Sequence, residues 1–456
     1  MVEIHELNME GEQFRGAKTA HLPEQRQINY EVRLKNNPKY EVAEVEESLR
    51  SIFELFDDGI KSLIPKQDKD KIVQAISEIM DEIETKELME AMNVVEECVA
   101  EVIICEESLK YSALPNAVLG KFYLFNMDKA EGEEEHIDEE GDGEIAACQT
   151  WMLPNKAFYG LWESLHYSSS LKSDLIQYAE TSFRLSQLGV SNTLISWNKV
   201  ILFHGPPGTG KTSIAQAFAQ KLAIRQIGGY QNTALVEINS HSLFSKWFSE
   251  SGKLVQKMFA KIRDYADDQS VMTIILIDEV ESLTSARSGS ANEPADAVRV
   301  VNAVLTQLDS LKKYPNVLVV CTSNITGKID LAFIDRADMK IFVGPPEPKA
   351  IYTILESSIH ELFHKGMITG KYSLRSEGYD LPNPSACERS LIAIADNAQG
   401  ISGRTLRKIP FLALMKYCAG AQQVTLDNYL NAVEKAIESD KVERKHLSDE
   451  NIKMEA

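Results

Sequence analysis

Paired cysteines, long apolar runs and an excess of positive charge are all missing from this sequence of 456 residues. Its six cysteines are scattered and none forms a C-x-x-C pair, so neither a zinc knuckle nor a disulfide framework is indicated. No apolar run of about eighteen residues occurs, and we expect no membrane span. The polar, acidic segment Met1–Arg15 is unlike a secretory or mitochondrial leader.

The formal net charge of −20 is unfavourable for nucleic acid, because a chain of this charge repels phosphates. We therefore expect no strong nucleic-acid binding, although a local basic groove or a positively charged pore is compatible with the total. The apolar fraction of 44% is sufficient for sizeable cores, and the chain length favours two or three domains over one.

A phosphate-binding loop is the clearest feature that the sequence does contain. Gly205–Thr212 reads GPPGTGKT and lies between an apolar run, Val200–Phe203, and a helix-compatible run, Ser213–Ile224. In this setting the backbone N–H groups of such a loop face the phosphates of a nucleotide. A turn rich in Gly and Pro would explain the glycines, but not the lysine and the threonine. The residues predicted to bind ATP are Gly205, Pro206, Pro207, Gly208, Thr209, Gly210, Lys211, Thr212 and Ser213.

Two carboxylates complete the predicted hydrolytic site. Lys211 can reach the β- and γ-phosphates, and the Thr212 hydroxyl can bind Mg²⁺. Ile274–Glu279 reads IILIDE, an apolar strand that ends in an acidic pair. Asp278 is predicted to hold the Mg²⁺ shell, and Glu279 to polarise the attacking water. Together with the loop, this pair predicts an ATPase that uses ATP and Mg²⁺.

Further polar residues lie where they can sense or complete a nucleotide site. Thr322, Ser323 and Asn324 follow a predicted strand, where a polar side chain can sense the γ-phosphate, although a strand-ending turn also favours Ser and Asn. Arg336 lies just before the next strand and can reach the nucleotide of a neighbouring subunit as an arginine finger. A local Asp–Arg salt bridge is the alternative interpretation of Arg336.

Arginines near the C-terminus are a second set of candidates. Gly400–Arg407 reads GISGRTLR and opens a predicted helix. Arg404 can contact the γ-phosphate and link the position of this region to the nucleotide state. Arg407 either does the same or lies on the surface.

Arg299, within the stretch DAVRVVNAVL, is a weaker candidate than Arg336 for the subunit interface.

Two adjacent aromatic residues follow the second predicted strand. Lys246, Trp247 and Phe248 lie in a Ser-rich stretch that ends with Gly252. Trp247 and Phe248 are compatible with a core, with an exposed grip on a substrate, or with stacking on nucleic-acid bases. The acidic composition disfavours the last of these.

The chain alternates between apolar strands and helical stretches from residue 200 onward. This alternation predicts an α/β fold in which a five-stranded parallel sheet is covered on both faces and binds ligand at the carboxyl ends of its strands. Strands become scarce after Pro345, so a small helical domain is expected there. The predicted strands are Val200–Phe203, Ala234–Ile238, Thr273–Ile277, Val317–Cys321 and Lys340–Val343, and the predicted late helices are Ala350–Phe363, Cys387–Ala398, Ser402–Cys418 and Leu426–Ile437.

The predicted division is a small α+β domain over 1–110, a large α/β domain over 111–346 and a helical lid over 347–456. In the first domain, strands are expected at Tyr30–Leu34 and Val99–Cys105, and helical spacing begins at Val45 and recurs over Ile72–Ile83 and Leu88–Val95. A further strand is expected just after it, at Val118–Phe125.

The first part of the predicted large domain carries two further expectations. The acidic run Glu131–Glu144 favours a solvated loop over a metal site, because its spacing does not match a calcium loop. Leu161, Trp162 and Leu165 can pack against an adenine, although a core role for Trp162 is at least as compatible with the pattern.

Taken together, the motifs resemble the AAA+ ATPases, and one branch of them in particular, the pachytene checkpoint protein family. The likeness covers about residues 150–420, and the pore stretch and the lid motif are more specific than the phosphate-binding loop. One departure is that only Arg336 precedes the fifth strand, where many protein-remodelling relatives have two arginines. The stretches that carry the resemblance are HGPPGTGKTS, SKWFSESGKLV, RVVNAVLTQLD, SNITGKIDLAFIDRAD and GISGRTLRKIPFLAL.

The resemblance implies a homohexameric ring that remodels closed HORMA-domain clients, often presented by a HORMA-like adaptor. It also implies that the N-terminal domain docks client and adaptor, and that the protein acts in the spindle checkpoint, the synapsis checkpoint and meiosis, in nucleus and cytoplasm with chromosome or kinetochore association. On matching positions, the resemblance implies that Lys211 and Thr212 hold nucleotide and Mg²⁺, and that Asp278 and Glu279 support hydrolysis. It implies that Asn324 and Arg404 are sensors of the nucleotide and that Arg336 is the arginine finger. It also implies that Lys246, Trp247 and Phe248 form the pore grip, which holds the client.

The first hypothesis is therefore an ATP-driven remodeller of folded proteins. One alternative is a nucleotide-gated scaffold for which hydrolysis is unimportant, and Glu279 argues against it. The other is an AAA+ ATPase that acts on another client or on nucleic acid, and the acidic charge disfavours nucleic acid.

Overall fold

A computed structural model describes most of the chain, in ranges separated by gaps. The described residues divide between two compact units, Met1–Leu124 and Phe125–Ala456. The described ranges are 27–35, 40–55, 86–105, 118–138, 144–167, 170–239, 251–281, 295–324, 331–376, 378–419 and 422–455.

The first unit is a small α+β structure. Its elements are β1 (Gln27–Leu34), α1 (Val42–Leu55), α2 (Lys86–Cys98), β2 (Val99–Ile104) and β3 (Val118–Phe125). The three strands form one sheet of order β2-β1-β3, and β1 pairs antiparallel with β2.

One face of this sheet packs against α1. Tyr30 and Val32 alternate along β1 and are buried, as are Leu49 and Ile52, which lie three residues apart on α1. The ring of Tyr30 stacks on Phe122 with centroids 5.2 Å apart. The period-2 and helical patterns of the sequence therefore meet in one core.

The strands and helices predicted for this unit are confirmed where the chain is described, and the predicted helical segment Ile72–Ile83 lies outside the described residues. The first compact unit extends to Leu124 rather than ending near residue 110. The physical reason is that β3 completes the first sheet.

The second unit contains a seven-stranded sheet of order β10-β6-β9-β8-β7-β5-β4. The five strands from β10 to β7 are parallel, which confirms the predicted parallel sheet, and β5 and β4 extend it as antiparallel strands. The strands are β4 (Glu133–Asp138), β5 (Glu144–Leu153), β6 (Val200–His204), β7 (Asn232–Asn239), β8 (Val271–Asp278), β9 (Val317–Ser323) and β10 (Met339–Phe342).

Helices cover both faces of the parallel strands. Ile275 and Ile277 of β8 pack into one core with the helices Ser251–Asp267 and Ala295–Leu311. Ile274 and Leu276 pack into the other core with the helices Leu171–Gln187 and Lys211–Ile224. Both faces of β8 are buried, and its stretch Ile274–Ile277 is accordingly apolar at every position. The helices are α3 (Leu161–Ser164), α4 (Leu171–Gln187), α5 (Lys211–Ile224), α6 (Ser251–Asp267), α7 (Ala295–Leu311) and α8 (Leu331–Arg336).

The prediction of a loop over 131–144 is wrong for its central part. Glu133–Asp138 is the edge strand β4, and residues 139–143 lie outside the described residues. The carboxylate of Glu135 accepts hydrogen bonds from Tyr265 at 2.8 Å and from Lys261 at 3.1 Å, and these bonds lower its pKa. An acidic edge strand keeps foreign strands from pairing with the sheet, so a charged run is compatible with β structure here.

Clusters of metal-ligating side chains and membrane-spanning helices are both absent from the described ranges. Within them, no three His, Cys, Asp or Glu side chains are placed together to hold a metal ion. No helix in those ranges combines the length and the apolar character that a membrane span needs.

The lid follows β10 and has its own core. Its predicted helices are present, but the segment predicted as one helix, Ser402–Cys418, is divided in two. Pro410 lies in the first turn of the second helix, and a proline cannot continue a preceding helix. The lid elements are α9 (Pro348–His364), β11 (Ile368–Thr369), α10 (Ala386–Asn397), α11 (Gly403–Leu406), α12 (Ile409–Tyr417), β12 (Val424–Thr425) and α13 (Leu426–Glu455).

Candidate nucleotide-binding site

The carboxyl ends of three neighbouring strands bring the predicted site residues together. β6, β9 and β8 are adjacent and parallel, and His204 at the end of β6 lies opposite Ser323 of β9. The loop Gly205–Thr212 therefore begins beside Asn324, with Asp278 at the end of the next strand. Ligands of open α/β sheets bind at such an edge.

Glycines allow the loop to curl at three positions. Gly205, Gly208 and Gly210 have φ values of 147°, 78° and 94°, which side chains disfavour. Gly205 is also needed for space, because a Cβ there would lie 2.3 Å from the carbonyl oxygen of Val343. The loop thus depends on glycine both for its curvature and for its contact with the segment after β10.

Lys211 lies folded into the loop. Its ammonium donates hydrogen bonds to the carbonyl oxygens of Gly205 at 3.0 Å and Pro206 at 2.8 Å, and the residue is 5% exposed. Burial lowers the pKa of Lys211, and the negative charges of Glu281 and Asp278 oppose this effect. The hydrogen bonds place the ammonium inside the loop, which in folds of this kind is the part that binds phosphates.

Asp278 is the acceptor for two hydroxyl groups. The Thr212 hydroxyl donates to Asp278 Oδ1 at 2.9 Å, and the Thr322 hydroxyl donates to the same oxygen. Oxygen donors of this kind are the ligands that Mg²⁺ prefers, so the pair of Thr212 and Asp278 fits such an ion. Thr322 thus fixes the carboxylate from the neighbouring strand.

Glu279 is held in an unusual backbone conformation. Its φ of 57° is rare for a residue other than glycine, and its N–H donates to Thr322 Oγ1 at 3.1 Å. The Asn324 side chain donates to Glu279 Oε1 at 3.1 Å, and the Asn324 N–H donates to Glu281 Oε1 at 2.9 Å. The bond from the Asn324 side chain restrains the carboxylate of Glu279, and Glu279 lines the same cleft as the phosphate-binding loop.

The loop, the acidic pair and the lid enclose a cleft of about 380 Å³. The lid reaches the loop directly, because the Arg404 N–H donates to the carbonyl oxygen of Gly208 at 3.0 Å. Arg407 also lines the cleft and is exposed, so a nucleotide contact and a surface position both stay predictions for it. The predicted residues that line it are Pro207, Gly208, Thr209, Gly210, Lys211, Thr212, Ser213, Asp278, Glu279, Asn324 and Arg404.

Several lining residues were not predicted from the sequence, and His166 and Tyr167 are two of them. His166 and Tyr167 follow α3 and form part of the cleft wall with Leu165, whereas Trp162 is buried in the core beneath it. Burial lowers the pKa of His166 to about 4, so its imidazole is neutral at neutral pH. No motif marks these residues, because a His-Tyr pair after one helical turn has no special spacing.

Arg336 does not line the cleft of its own chain. Its guanidinium makes two hydrogen bonds to the carboxylate of Asp309, at 3.1 Å and 2.6 Å, and one to the carbonyl oxygen of Ala332 at 2.8 Å. The local salt bridge is thus present, although with an aspartate of α7. A role for Arg336 in a neighbouring subunit stays a prediction and requires release from Asp309.

The pore grip predicted at Lys246, Trp247 and Phe248 lies outside the described residues, as does the side chain of Arg299. Their roles stay predictions.

Comparisons with known proteins define the class. Residues 201–345 match the family described as "ATPase family associated with various cellular activities (AAA)". Residues 347–441 match the "TRIP13-like, AAA+ ATPase lid C-terminal domain". With the sheet and the cleft described above, these matches show that the protein is an AAA+ ATPase and binds nucleotide.

Individual relatives narrow the class to one family. The chain is 48% identical over 338 residues to the pachytene checkpoint protein 2 homologue of Xenopus tropicalis, covering 72% of this chain and 78% of that protein. The human homologue is 47% identical over 334 residues, with 72% and 77% covered. The structure of C. elegans PCH-2 matches with a TM-score of 0.70 and 32% identity, covering 91% of this chain and all of that one. The chain belongs to the pachytene checkpoint protein 2 family.

Proposed function

We propose that this ATPase is a homohexameric remodeller of folded protein clients rather than a nucleotide-gated scaffold. The observation that carries the proposal is the position of Glu279. Its carboxylate lines the cleft beside the phosphate-binding loop, and Asn324 holds it at 3.1 Å. A protein that only binds ATP has no need of a carboxylate positioned to polarise water.

The site residues divide the chemistry among themselves. Lys211 binds the β- and γ-phosphates in place of its two carbonyl partners, and Glu279 accepts a proton from the attacking water. Thr212 and Asp278 would hold Mg²⁺, which when bound neutralises charge on the phosphate oxygens. Arg404 lies in the lid and makes the position of the lid depend on the nucleotide state. Its backbone N–H already connects the lid to the phosphate-binding loop.

The proposed clients are closed HORMA-domain proteins, presented by a HORMA-like adaptor and bound by the N-terminal domain. Membership of the pachytene checkpoint protein 2 family supports this assignment, as does the specificity of the SKWFSESGKLV and GISGRTLR stretches. Trp247 and Phe248 would pull an extended client segment. Because folds are only marginally stable, a short pull on one terminal segment is sufficient to open a client.

The proposed cellular role follows from the same clients. It comprises the spindle assembly checkpoint, the synapsis checkpoint and meiotic chromosome axes. The proposed location is nucleus and cytoplasm, with chromosome or kinetochore association.

The variant Glu279→Gln separates the remodeller from the scaffold. We expect it to keep ATP binding and assembly, to lose ATP turnover by about 100-fold or more, and to lose conversion of a closed HORMA client. Glu133→Gln, on the exposed edge strand, is the matched control and retains both activities. Client conversion by Glu279→Gln at the wild-type level would favour the scaffold.

A further inference from the structure

A short segment of the cleft wall contacts both the lid and the phosphate-binding loop. We propose that Ser164–Tyr167, which we call the strap, transmits the position of the lid to the loop, and that Ser164 and Tyr167 are positioning residues for nucleotide binding. All four strap residues line the cleft. The proposal rests on the ATPase activity of the family and is independent of which client is remodelled.

The lid end of the strap is fixed by Arg407. Its guanidinium donates to the carbonyl oxygen of Ser164 at 2.8 Å and lies 3.2 Å from the Ser164 hydroxyl. Arg407 caps α11 through its own N–H, which donates to the carbonyl oxygen of Gly403 at 3.1 Å. A displacement of α11 therefore moves or breaks the contact with Ser164.

The loop end of the strap is fixed by Tyr167. Its hydroxyl lies 3.2 Å from the carbonyl oxygen of Gly210 and 3.4 Å from that of Thr209, so its single hydrogen is shared between them. The hydroxyl packs directly on the loop backbone, because a Cβ added to Gly210 would lie 2.7 Å from it. Tyr167 thus restrains the loop where the chain turns into α5.

The middle of the strap is also restrained. Leu165 is 9% exposed and belongs to the core under the parallel sheet, and His166 is buried enough for its pKa to fall to about 4. A segment of four residues that is held at its ends and in its middle cannot absorb a lid movement by bending alone. A displacement of Ser164 therefore also displaces Tyr167.

The strap adds a second connection to the direct one between lid and loop. The direct contact, from the Arg404 N–H to Gly208, holds the middle of the loop. The strap holds the loop at Thr209 and Gly210. Opening of the lid then releases the loop at both places, which couples lid opening to nucleotide release.

Coupling between the two ends of the strap is measurable in the full-length protein. Tyr167→Phe removes one hydroxyl, and Arg407→Gln removes the contacts with Ser164. Each single variant is expected to weaken ADP binding by about 2- to 12-fold, the range for one hydrogen bond. If both contacts act through the strap, breaking the second one adds nothing, and the Kd of the double variant for ADP equals that of the single variant that binds ADP more weakly.

Burial raises the pKa of Tyr167, so its hydroxyl is neutral at neutral pH and has no charge–charge interaction with Arg407. A direct charge–charge attraction between the two side chains therefore cannot imitate coupling through the strap. Matched controls are Tyr417→Phe and Arg389→Gln on the outer surface of the lid, which leave ADP binding unchanged. Fold-losses that multiply in the double variant would overturn the proposal.

Hydrogen exchange gives a second test that needs only the single variants. In nucleotide-free protein, Arg407→Gln should speed exchange of the loop amides Gly208–Thr212 by about threefold or more. By reciprocity, Tyr167→Phe should speed exchange of the lid amides Ser402–Arg407. Exchange that changes only at the mutated end would show that the two contacts are local and would refute the strap.

Discussion

Replacing Asn324 with alanine should slow hydrolysis without weakening ATP binding. The Asn324 side chain donates one hydrogen bond, at 3.1 Å, to the carboxylate of Glu279. A hydrogen bond to a charged group contributes about 1.5–3 kcal/mol, and because both residues are only half-buried we take the lower half of this range. About 1.5–2 kcal/mol corresponds to a decrease in kcat of about 10- to 30-fold.

The assay is single-turnover hydrolysis of ATP, combined with equilibrium binding of a fluorescent ATP analogue. Because Asn324 contacts the base and not the loop, the Kd should stay within about twofold of wild type. Asn192→Ala, in an exposed turn, is the matched control. A kcat near that of wild type, or a Kd that rises as much as kcat falls, would refute the role assigned to Asn324.

Three further predictions concern the loop, the subunit interface and the lid. Gly205→Ala should cost about 2–4 kcal/mol in the free energy of unfolding, measured by denaturant titration, because its Cβ would clash with Val343; an unchanged midpoint would contradict this. Neither Arg336→Ala nor Glu279→Gln should hydrolyse ATP alone. If the finger acts in trans, an equal mixture of the two variants should regain turnover at about a quarter of its interfaces, those that combine an intact Glu279 with an intact Arg336 from the neighbouring subunit. An inactive mixture would indicate action in cis. Arg375 lowers the pKa of Glu388 from 4.5 to about 2, so the ionised carboxylate stabilises the fold at pH 7. Glu388→Gln should therefore lower the stability measured by thermal unfolding fully at pH 7, and this loss should shrink below about pH 4.5. A loss of stability that is independent of pH would argue against an ionised Glu388.

The parallel sheet and most of the nucleotide site could be predicted from local patterns. A strand followed by GPPGTGKT, and a second strand ending in Asp278 and Glu279, specify residues whose chemistry depends on backbone direction and short spacing. Because parallel strands align their carboxyl ends, separate motifs were expected to converge, and the contacts of Asp278 with Thr212 confirm that they do.

The features that were missed depend on contacts between distant segments. The acidic strand β4 is stabilised by Lys261 and Tyr265 of α6, which no local pattern near residue 135 reveals. The partner of Arg336 is Asp309, distant in sequence and brought close only by the packing of α7 and α8. The strap residue Tyr167 has its function through the backbone of Gly210, and a backbone acceptor leaves no signature in sequence.

Turnover of ATP with and without a closed HORMA-domain client and its adaptor is the most direct test of the remodelling account, with Glu279→Gln as the blank. The account predicts strong stimulation by the pair, together with a change in client conformation that proceeds in step with hydrolysis. Steady basal turnover that ignores the pair would leave the ATPase in place and contradict the assignment of HORMA-domain clients.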